Sequence, residues 1–435
     1  MAYGIQVLKS KLAMKKIRAG LRYDYYEMKI STQDMPMVQN SRLMWLHPVL
    51  GWCSKAVDTV ADRLQVKGWK NDNFGITEIF QMNNADVLFD SAILSALITS
   101  CSFIYIYKDE TGFPSLQVID GEHATGIIDP QTNLLEEGYA VLRSDDNGTP
   151  TLEAYFGPGF ITYYPAGAEP YTIENNAPYP LLVPIIYRPD SKRPFGHSRI
   201  SRAMMSIVEG AIRTVKRSEI AAEFYSFPQR YVVGTDADAV ALDKWKATIS
   251  TLLEITKDED GDKPSVGQFS QQSMQPHLEQ IRNFASLFAG ETGLTMDDLG
   301  FVSENPSSAE AIKASHESLR VLVEKAQRTF ASCFLNVGYL ATCLRDKFPY
   351  ERRQFYLTSL EWMPAFKPDA AALSSIGDGA IKVNQAVPGY FNFDNLEILT
   401  GIAPSSLEPP KDSPPQPVVT DDDDEDEDED EPDEE

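Results

Sequence analysis

At 435 residues, with 43% hydrophobic and 24% charged side chains, the chain can bury a large core and divide into two or more domains. Its net charge of −25 argues against a protein that wraps DNA or lies on a membrane surface through basic patches. Residues 421–435 hold 14 of the 64 acidic side chains, which leaves about −11 on the rest, so the body is acidic too.

Cys53, Cys101, Cys333 and Cys343 form no CxxC pair, so neither a disulfide framework nor a zinc site is indicated, and a reducing, cytoplasmic setting fits. The first residues lack the long apolar core and cleavage site of a secretory signal. Residues 91–107 are uncharged and near the length of a membrane span. They carry five Ser or Thr and change from helix-like to strand-like at Phe103, which predicts a buried helix running into a strand.

Residues 4–30 read as a helix whose basic face, Lys9, Lys11, Lys15, Lys16 and Arg18, precedes Tyr23, Tyr25 and Tyr26. Basic plus aromatic is compatible with nucleic-acid contact, but a solvated face beside a docking edge is the expectation. Helical spacing recurs over 49–66 (Val49, Trp52, Ala56, Val60, Leu64) and twice within 76–101. From Phe103 the period becomes two, in FIYIY, SLQVID, GIID, GYAVLRS, TLEAYF and FITYYP. Asn147–Gly148 predicts a hairpin joining 139–144 to 151–156. The expectation for 1–190 is α+β, helices first and then a mostly antiparallel sheet.

The stretch 196–227 predicts a long helix capped by Ser198 and closed by Pro228. Ile200, Met204, Ile207, Val208, Ala211, Ile212 and Val215 form its apolar face. At 1.5 Å per residue it would be roughly 45 Å long. It reads either as an ordinary long core helix or as one packed side by side with copies from other chains, which its small residues, Ala203, Ser206, Gly210 and Ala211, would suit. Residues 229–275 predict a strand (RYVVG), a helix from Ala239 to Ile255, a charged loop at 257–263 and an extended piece. The DEDGD run is not a calcium loop, because Gly267 stands where the bidentate Glu would be. A second amphipathic helix follows over 277–290, through Leu278, Ile281, Phe284, Ala285 and Phe288.

After a polar, turn-prone stretch, Ser307 and Glu310 match a capping box. The helix it opens has a seam from Ile312 through Leu319, Val323, Phe330, Phe334 and Leu340 to Leu344, ending near Asp346, roughly 55–60 Å in all. QFYLTSLEW predicts a strand, and helices are expected over 369–386 and near 392–400. Residues 403–420, with six prolines, read as a linker, and the acidic run as a disordered tail. That tail suits a solubilising role or an electrostatic one, as a decoy for basic partners or a segment that repels DNA.

Chemistry is sparse. His47, His123, His197, His277 and His316 stand far apart, and no HExxH, GxSxG or Walker loop is present. No catalytic residue, cofactor site or metal site is expected, and the chain does not read as an enzyme.

In the order of its segments the chain resembles the portal proteins of tailed double-stranded-DNA bacteriophages. The likeness runs through YDYYEMK (23–29), AVDTVADRLQVKGW (56–69), GHSRISRAMMSIVEGAIR (196–213), SFPQRYVVG (226–234), TGLTMDDLG with ENPSSAEAIKASHESLRVLVEKAQRTF (292–330), and LEWMPAFKPDAAALSSIGDGA (360–380). Met28 departs from it, standing where such proteins commonly carry glycine after the tyrosine pair.

The resemblance implies a portal fold: an α+β wing (1–195), stem helices (196–227 and 276–292), a small α/β clip (228–275), a tunnel loop (293–309) and a helical crown (310–402). It implies a homo-oligomeric ring of about twelve subunits at one capsid vertex of the virion, assembled in the host cytoplasm, with no membrane partner. Double-stranded DNA would pass through without sequence-specific contacts. The clip would meet the terminase large subunit and then a head-completion adaptor, and the wing the major capsid and scaffold proteins. Ser303, Glu304, Asn305, Ser307 and Ser308 would face DNA in the tunnel loop. In the stem, Arg213, Lys216 and Arg217 would touch DNA or bridge to Glu219 and Glu223 of a neighbour. The rival readings are an acidic scaffold or adaptor and a metal-dependent packaging nuclease.

Overall fold

The computed structural model describes residues 4–30, 47–226, 230–233, 265–268, 273–301, 314–366, 370–400 and 402. Helix α1 (Ile5–Tyr26) buries Leu8, Leu12, Ala19 and Tyr25. Three lysines of its expected solvated face are docked instead. Lys9 pairs with Glu153, Lys11 Nζ donates to the Gly126 carbonyl at 2.7 Å, and Lys15 Nζ donates to the Ala124 carbonyl at 3.1 Å. Lys15 also lies 4.7 Å from the centre of the Phe103 ring. Their alkyl stems cover apolar surface while the ammonium groups meet a carboxylate (Lys9) or carbonyls (Lys11 and Lys15) of the sheet below. Burial, then the nearby Lys15, lowers the Lys11 pKa. Lys16 and Arg18 remain exposed.

Helix α2 (Trp52–Ala61) leads to strand β1 (Val66–Lys70). Helices α3 (Ile76–Met82) and α4 (Ala85–Thr99) follow, and Ser100, at φ 95°, turns the chain directly into β2 (Cys101–Lys108). The helix-to-strand switch therefore falls at Ser100 rather than at Phe103. Strands β3 (Pro114–Ile119), β4 (Ala124–Ile128), β5 (Leu135–Ser144), β6 (Pro150–Gly157), β7 (Phe160–Pro165), β8 (Tyr171–Glu174) and β9 (Leu182–Ile186) complete the β region. They form two antiparallel sheets, β3-β2-β9 and β4-β5-β6-β7-β8, rather than one. The β5–β6 hairpin turns at Asn147–Gly148, where Gly148 takes φ 76°. Strands β8 and β9 lack alternation: β8 is exposed throughout and β9 buried throughout. Pro184 is tolerated in β9 because that strand sits at the sheet edge and pairs only with β2.

Helix α5 (Arg202–Ser226) is followed by β10 (Arg230–Val233), β11 (Ser265–Gln268) and α6 (Gln275–Thr292). The two strands pair antiparallel. The helix expected at 239–255 and the loop at 257–263 lie outside the described residues. Gly293, at φ 72°, ends α6. In the next turn Thr295 Oγ1 and the Thr295 amide both donate to Asp298, whose amide donates back to Thr295. Helix α7 (Glu317–Asp346) carries the expected seam, with Leu319, Val323, Ala326, Phe330, Phe334, Val337, Leu340 and Leu344 all buried. The capping box at 307–310 and Ile312 lie outside the described residues. QFYLTSLEW begins inside a 3-10 turn (Arg352–Phe355), and only β12 (Ser359–Trp362) is a strand, antiparallel to β1.

Residues Met1–Phe366 form one compact unit. Its core lies where α4 and α7 both pack on the β3-β2-β9 sheet, so β2 is buried on both faces. Phe80, Phe89 and Phe334 join α3, α4 and α7, with ring centres 5.0 Å (Phe80–Phe89) and 4.6 Å (Phe89–Phe334) apart. Residues 333–344 are buried on every side, and Gly338 lies against Ile76 with no room for a Cβ. The second unit, Lys367–Glu435, contains α8 (Ala370–Ala386) and α9 (Phe393–Thr400) where they were expected. Asn384 closes the turn between them by bonding both the amide and the carbonyl of Phe391.

Candidate functional site

The feature that stands apart from the sheets is the antiparallel pair α5 and α6. Helix α5 spans 25 residues, about 37 Å. It starts at Arg202, later than expected, because Ser201 rather than Ser198 caps it: Ser201 Oγ accepts the Met204 amide at 3.2 Å. Ser198 instead donates to the Ile98 carbonyl at 2.5 Å and accepts the Ile200 amide at 3.0 Å. It thereby joins the entry of α5 to the end of α4.

The helices cross at Gly210, where an added Cβ would lie 2.8 Å from Phe284 Cε1 and Cζ. Glycine lets the two helices approach closely there. Gly210 and Ala211 are therefore spent on packing inside the chain, while Ala203 and Ser206 are exposed. Of the expected apolar face, Ile200, Met204, Val208, Ala211 and Ile212 are buried, and Ile207 and Val215 are half-buried.

Arg199 anchors the base of the pair. Its guanidinium is buried and donates to the Ala56 carbonyl of α2 (Nε, 3.3 Å) and to the Thr292 carbonyl at the end of α6 (Nη2). Burial, the largest influence, lowers its pKa, and Tyr187 opposes that shift. Its own amide bonds the Leu97 carbonyl at 2.8 Å. Ser201 Oγ donates to Glu291 at 2.8 Å, and Trp52 packs on Phe288 at 5.6 Å. Both ends of the hairpin are thus tied to α2 and α4. Arg199 was missed as an anchor, since nothing in its sequence neighbourhood separates a buried arginine from the exposed charges that follow.

The tyrosine run makes a second clamp. Tyr23 hydroxyl meets Ser95 Oγ at 3.0 Å, Tyr25 donates to Glu209, and Tyr26 donates to Asp58 at 2.8 Å. The end of α1 is pinned in this way to α4, α5 and α2. Burial, and for Tyr25 and Tyr26 the carboxylates they bond, raises all three phenol pKa values. These rings are fixed in the fold, not free to stack on bases.

The predicted stem residues all lie on α5, in different surroundings within the single chain. Arg213 lies 3.6 Å from Glu209 in its own helix. Lys216 is buried, so it does not stand on a solvent-facing stripe. Arg217 and Glu219 are exposed, and Glu223 lies near the C-terminal end of α5. The tunnel-loop residues Ser303, Glu304, Asn305, Ser307 and Ser308 lie outside the described residues.

No group of His, Cys, Asp and Glu suited to a metal ion occurs among the described residues. The four cysteines are free and buried. Burial pushes the Cys53 thiol up to about 12 and those of Cys333 and Cys343 up to about 11, so these are protonated near neutral pH. No helix among the described residues is long and apolar enough to cross a membrane.

Residues 7–349 match the family described as phage portal protein, SPP1 Gp6-like. The chain belongs to the phage portal protein family. It is 24% identical over 334 residues to the portal protein of Mycobacterium phage L5, covering 71% of this chain and 68% of that one. It is 23% identical over 341 residues to the portal protein of Mycobacterium phage D29, covering 73% and 69%. Among solved structures, a chain from the virion of a native gene transfer agent particle aligns with a TM-score of 0.47 at 12% identity, covering 86% of this chain and 96% of that one. A chain from the neck of that native particle, computed with C12 symmetry, aligns with a TM-score of 0.44 at 14% identity, covering 81% and 90%.

The departure of this portal-family chain at Met28 has a physical reading. Met28 sits at φ 59°, in the left-handed region that favours glycine.

Proposed function

We propose that the chain is the repeated subunit of a portal ring at one capsid vertex. The ring encloses the channel through which DNA is packaged and ejected. The observation that carries this reading is family membership across residues 7–349, which spans α5, α6 and their anchorage. An antiparallel helix pair held rigidly at its base by Arg199, Ser201 and Trp52 suits a wall element, because lateral contacts repeated around a ring demand that each copy present the same geometry. The acidic body suits a conduit: each phosphate contact would add affinity and hinder sliding, whereas like charge keeps the duplex off the wall.

In this reading α5 and α6 are the stem, and the segment between them, which includes β10 and β11, is the clip. The clip docks the terminase large subunit during packaging and a head-completion adaptor afterwards. The wing comprises the two sheets with α1 to α4 and also α7 and β12, since these share its core, and it faces the capsid and scaffold proteins. Residues 293–309 form the tunnel loop, and the crown is reduced to the unit that holds α8 and α9. The subunit is a structural, non-enzymatic part, and ATP hydrolysis belongs to a separate motor.

Electron microscopy of purified protein tests the reading. Rings of about twelve copies with a central hole are expected, and particles lacking the protein should fail to fill with DNA. A protein that stays monomeric at every concentration, with particles that fill without it, would overturn the proposal.

A further inference from the structure

The exposed side of α1 carries Val7, Met14, Ile17 and Leu21, spaced by seven, three and four residues, so that they form one stripe. Ile17 is 78% exposed and Met14 64%. Beside this stripe stand Arg18 and Arg22. Arg22 is crowded by three other arginines, Arg18, Arg193 and Arg202, whose charges add to burial in lowering its pKa. No ion pair with a carboxylate is formed by Arg18, Arg22 or Arg202 among the described residues, and the buried Arg22 Nε has no acceptor, whereas Arg193 bonds Asp190 through its amide and meets His197, which Asp190 holds. Arginines without ion pairs, Arg18, Arg22 and Arg202, beside exposed aliphatic side chains are an unusual surface for a chain of net charge −25.

A second surface has the opposite character. At the α3–α4 corner Met82 is 71% exposed and Val87 70%. Asp86 and Asp90 flank Val87 on α4, and Asp62 at the end of α2 lies close enough to act on Asp90. Burial, then Asp86 and Asp62, raises the Asp90 pKa. None of these three carboxylates has a basic partner among the described residues.

We propose that these surfaces meet between copies of the chain: the arginine-edged stripe of α1 on one subunit docks the aspartate-edged α3–α4 corner of the next. The inference rests on the ring reading and names one of its lateral contacts. Two dissimilar patches make a heterologous contact, the kind that builds rings. An apolar centre with arginine at its edge is the make-up of a protein interface. A DNA backbone would use the arginines but leave Met14, Ile17 and Leu21 in water, so a second copy fits the whole patch better. Arginine also suits the bidentate bonds that carboxylates offer.

The test uses full-length protein carrying Arg18→Glu with Arg202→Glu, and a second version carrying Asp86→Lys with Asp90→Lys. These side chains are exposed and have no partner among the described residues, so the fold should hold. Each version alone should need at least about tenfold more protein to form rings at low salt, followed by sedimentation and electron microscopy. Mixed in equal amounts they should co-assemble, because each then presents the charge its neighbour lacks, which a misfolded variant cannot do. Ile17→Asp should weaken assembly with no rescue by either version. Rings that form equally well from each version alone would overturn the interface while leaving the ring reading standing, as would impaired versions that do not rescue each other. Unchanged rings with loss of salt-dependent DNA binding would reassign the patch to DNA. Wild-type protein that forms no rings at all would overturn the ring reading and this contact with it.

Discussion

The α5–α6 crossing yields a graded prediction. At Gly210 a new Cβ meets Phe284 carbons at 2.8 Å, where ordinary contact begins near 3.4 Å, so the ring edge must withdraw by about 0.6 Å. Gly210→Ala regains about 1 kcal/mol of helix propensity. The atoms it meets are the far edge of a half-buried ring, so gain and clash should nearly cancel. Gly210→Leu adds three more carbons to the same gap. Overpacking of that kind costs about 1–3 kcal/mol, and at the upper end, less the propensity gain, the net loss is about 2 kcal/mol.

Hydrogen exchange along α5 and α6 reads this directly, since local opening should become about 30-fold more frequent in Gly210→Leu and change little in Gly210→Ala. Adding Phe284→Ala to Gly210→Leu should recover at least about 1 kcal/mol relative to the sum of the two single changes. Wild-type exchange rates in Gly210→Leu, or strict additivity with Phe284→Ala, would refute the argument that this glycine exists for the crossing.

Met28→Gly should raise the melting temperature, since it relieves a left-handed methionine worth about 1 kcal/mol; a fall would mean that its side-chain contacts outweigh the backbone. The His123–Asp120 pair, with Nδ1 2.8 Å from Oδ2, predicts a pH dependence. Its hydrogen bond with Asp120 raises the His123 pKa, so its stabilisation is complete below about pH 6.5 and fades as pH rises through the elevated value. Asp120, depressed chiefly by His123 and by backbone amides against the opposing effect of burial, contributes above its unfolded pKa and loses that contribution only as pH falls through its folded value. His123→Gln should therefore cost more stability at pH 6 than at pH 8.5 in paired denaturation curves, and equal costs would refute the pairing. Deleting 421–435 should leave ring assembly unchanged by electron microscopy, whereas loss of rings would make the acidic run an assembly element.

What the sequence determined by itself were the features written in local spacing. Helix periodicity placed α2 to α7 and the last two helices to within a few residues, the expected start of α7 lying outside the described residues. Period two with Asn147–Gly148 located the central strands and their hairpin, and the order of segments pointed to the portal family. Tertiary structure decided the rest, because partners distant in sequence set it. A lysine on an amphipathic helix has the same local pattern whether it meets water or the Ala124 carbonyl, so the docking of Lys9, Lys11 and Lys15 could not be read ahead. Arg199 and Lys216 are charged in sequence yet buried in the fold, and Gly210 serves Phe284, 74 positions away, rather than another chain. Strands β8 and β9 lack alternation because one is exposed on both faces and the other buried on both, a matter of which elements cover them and not of their own residues.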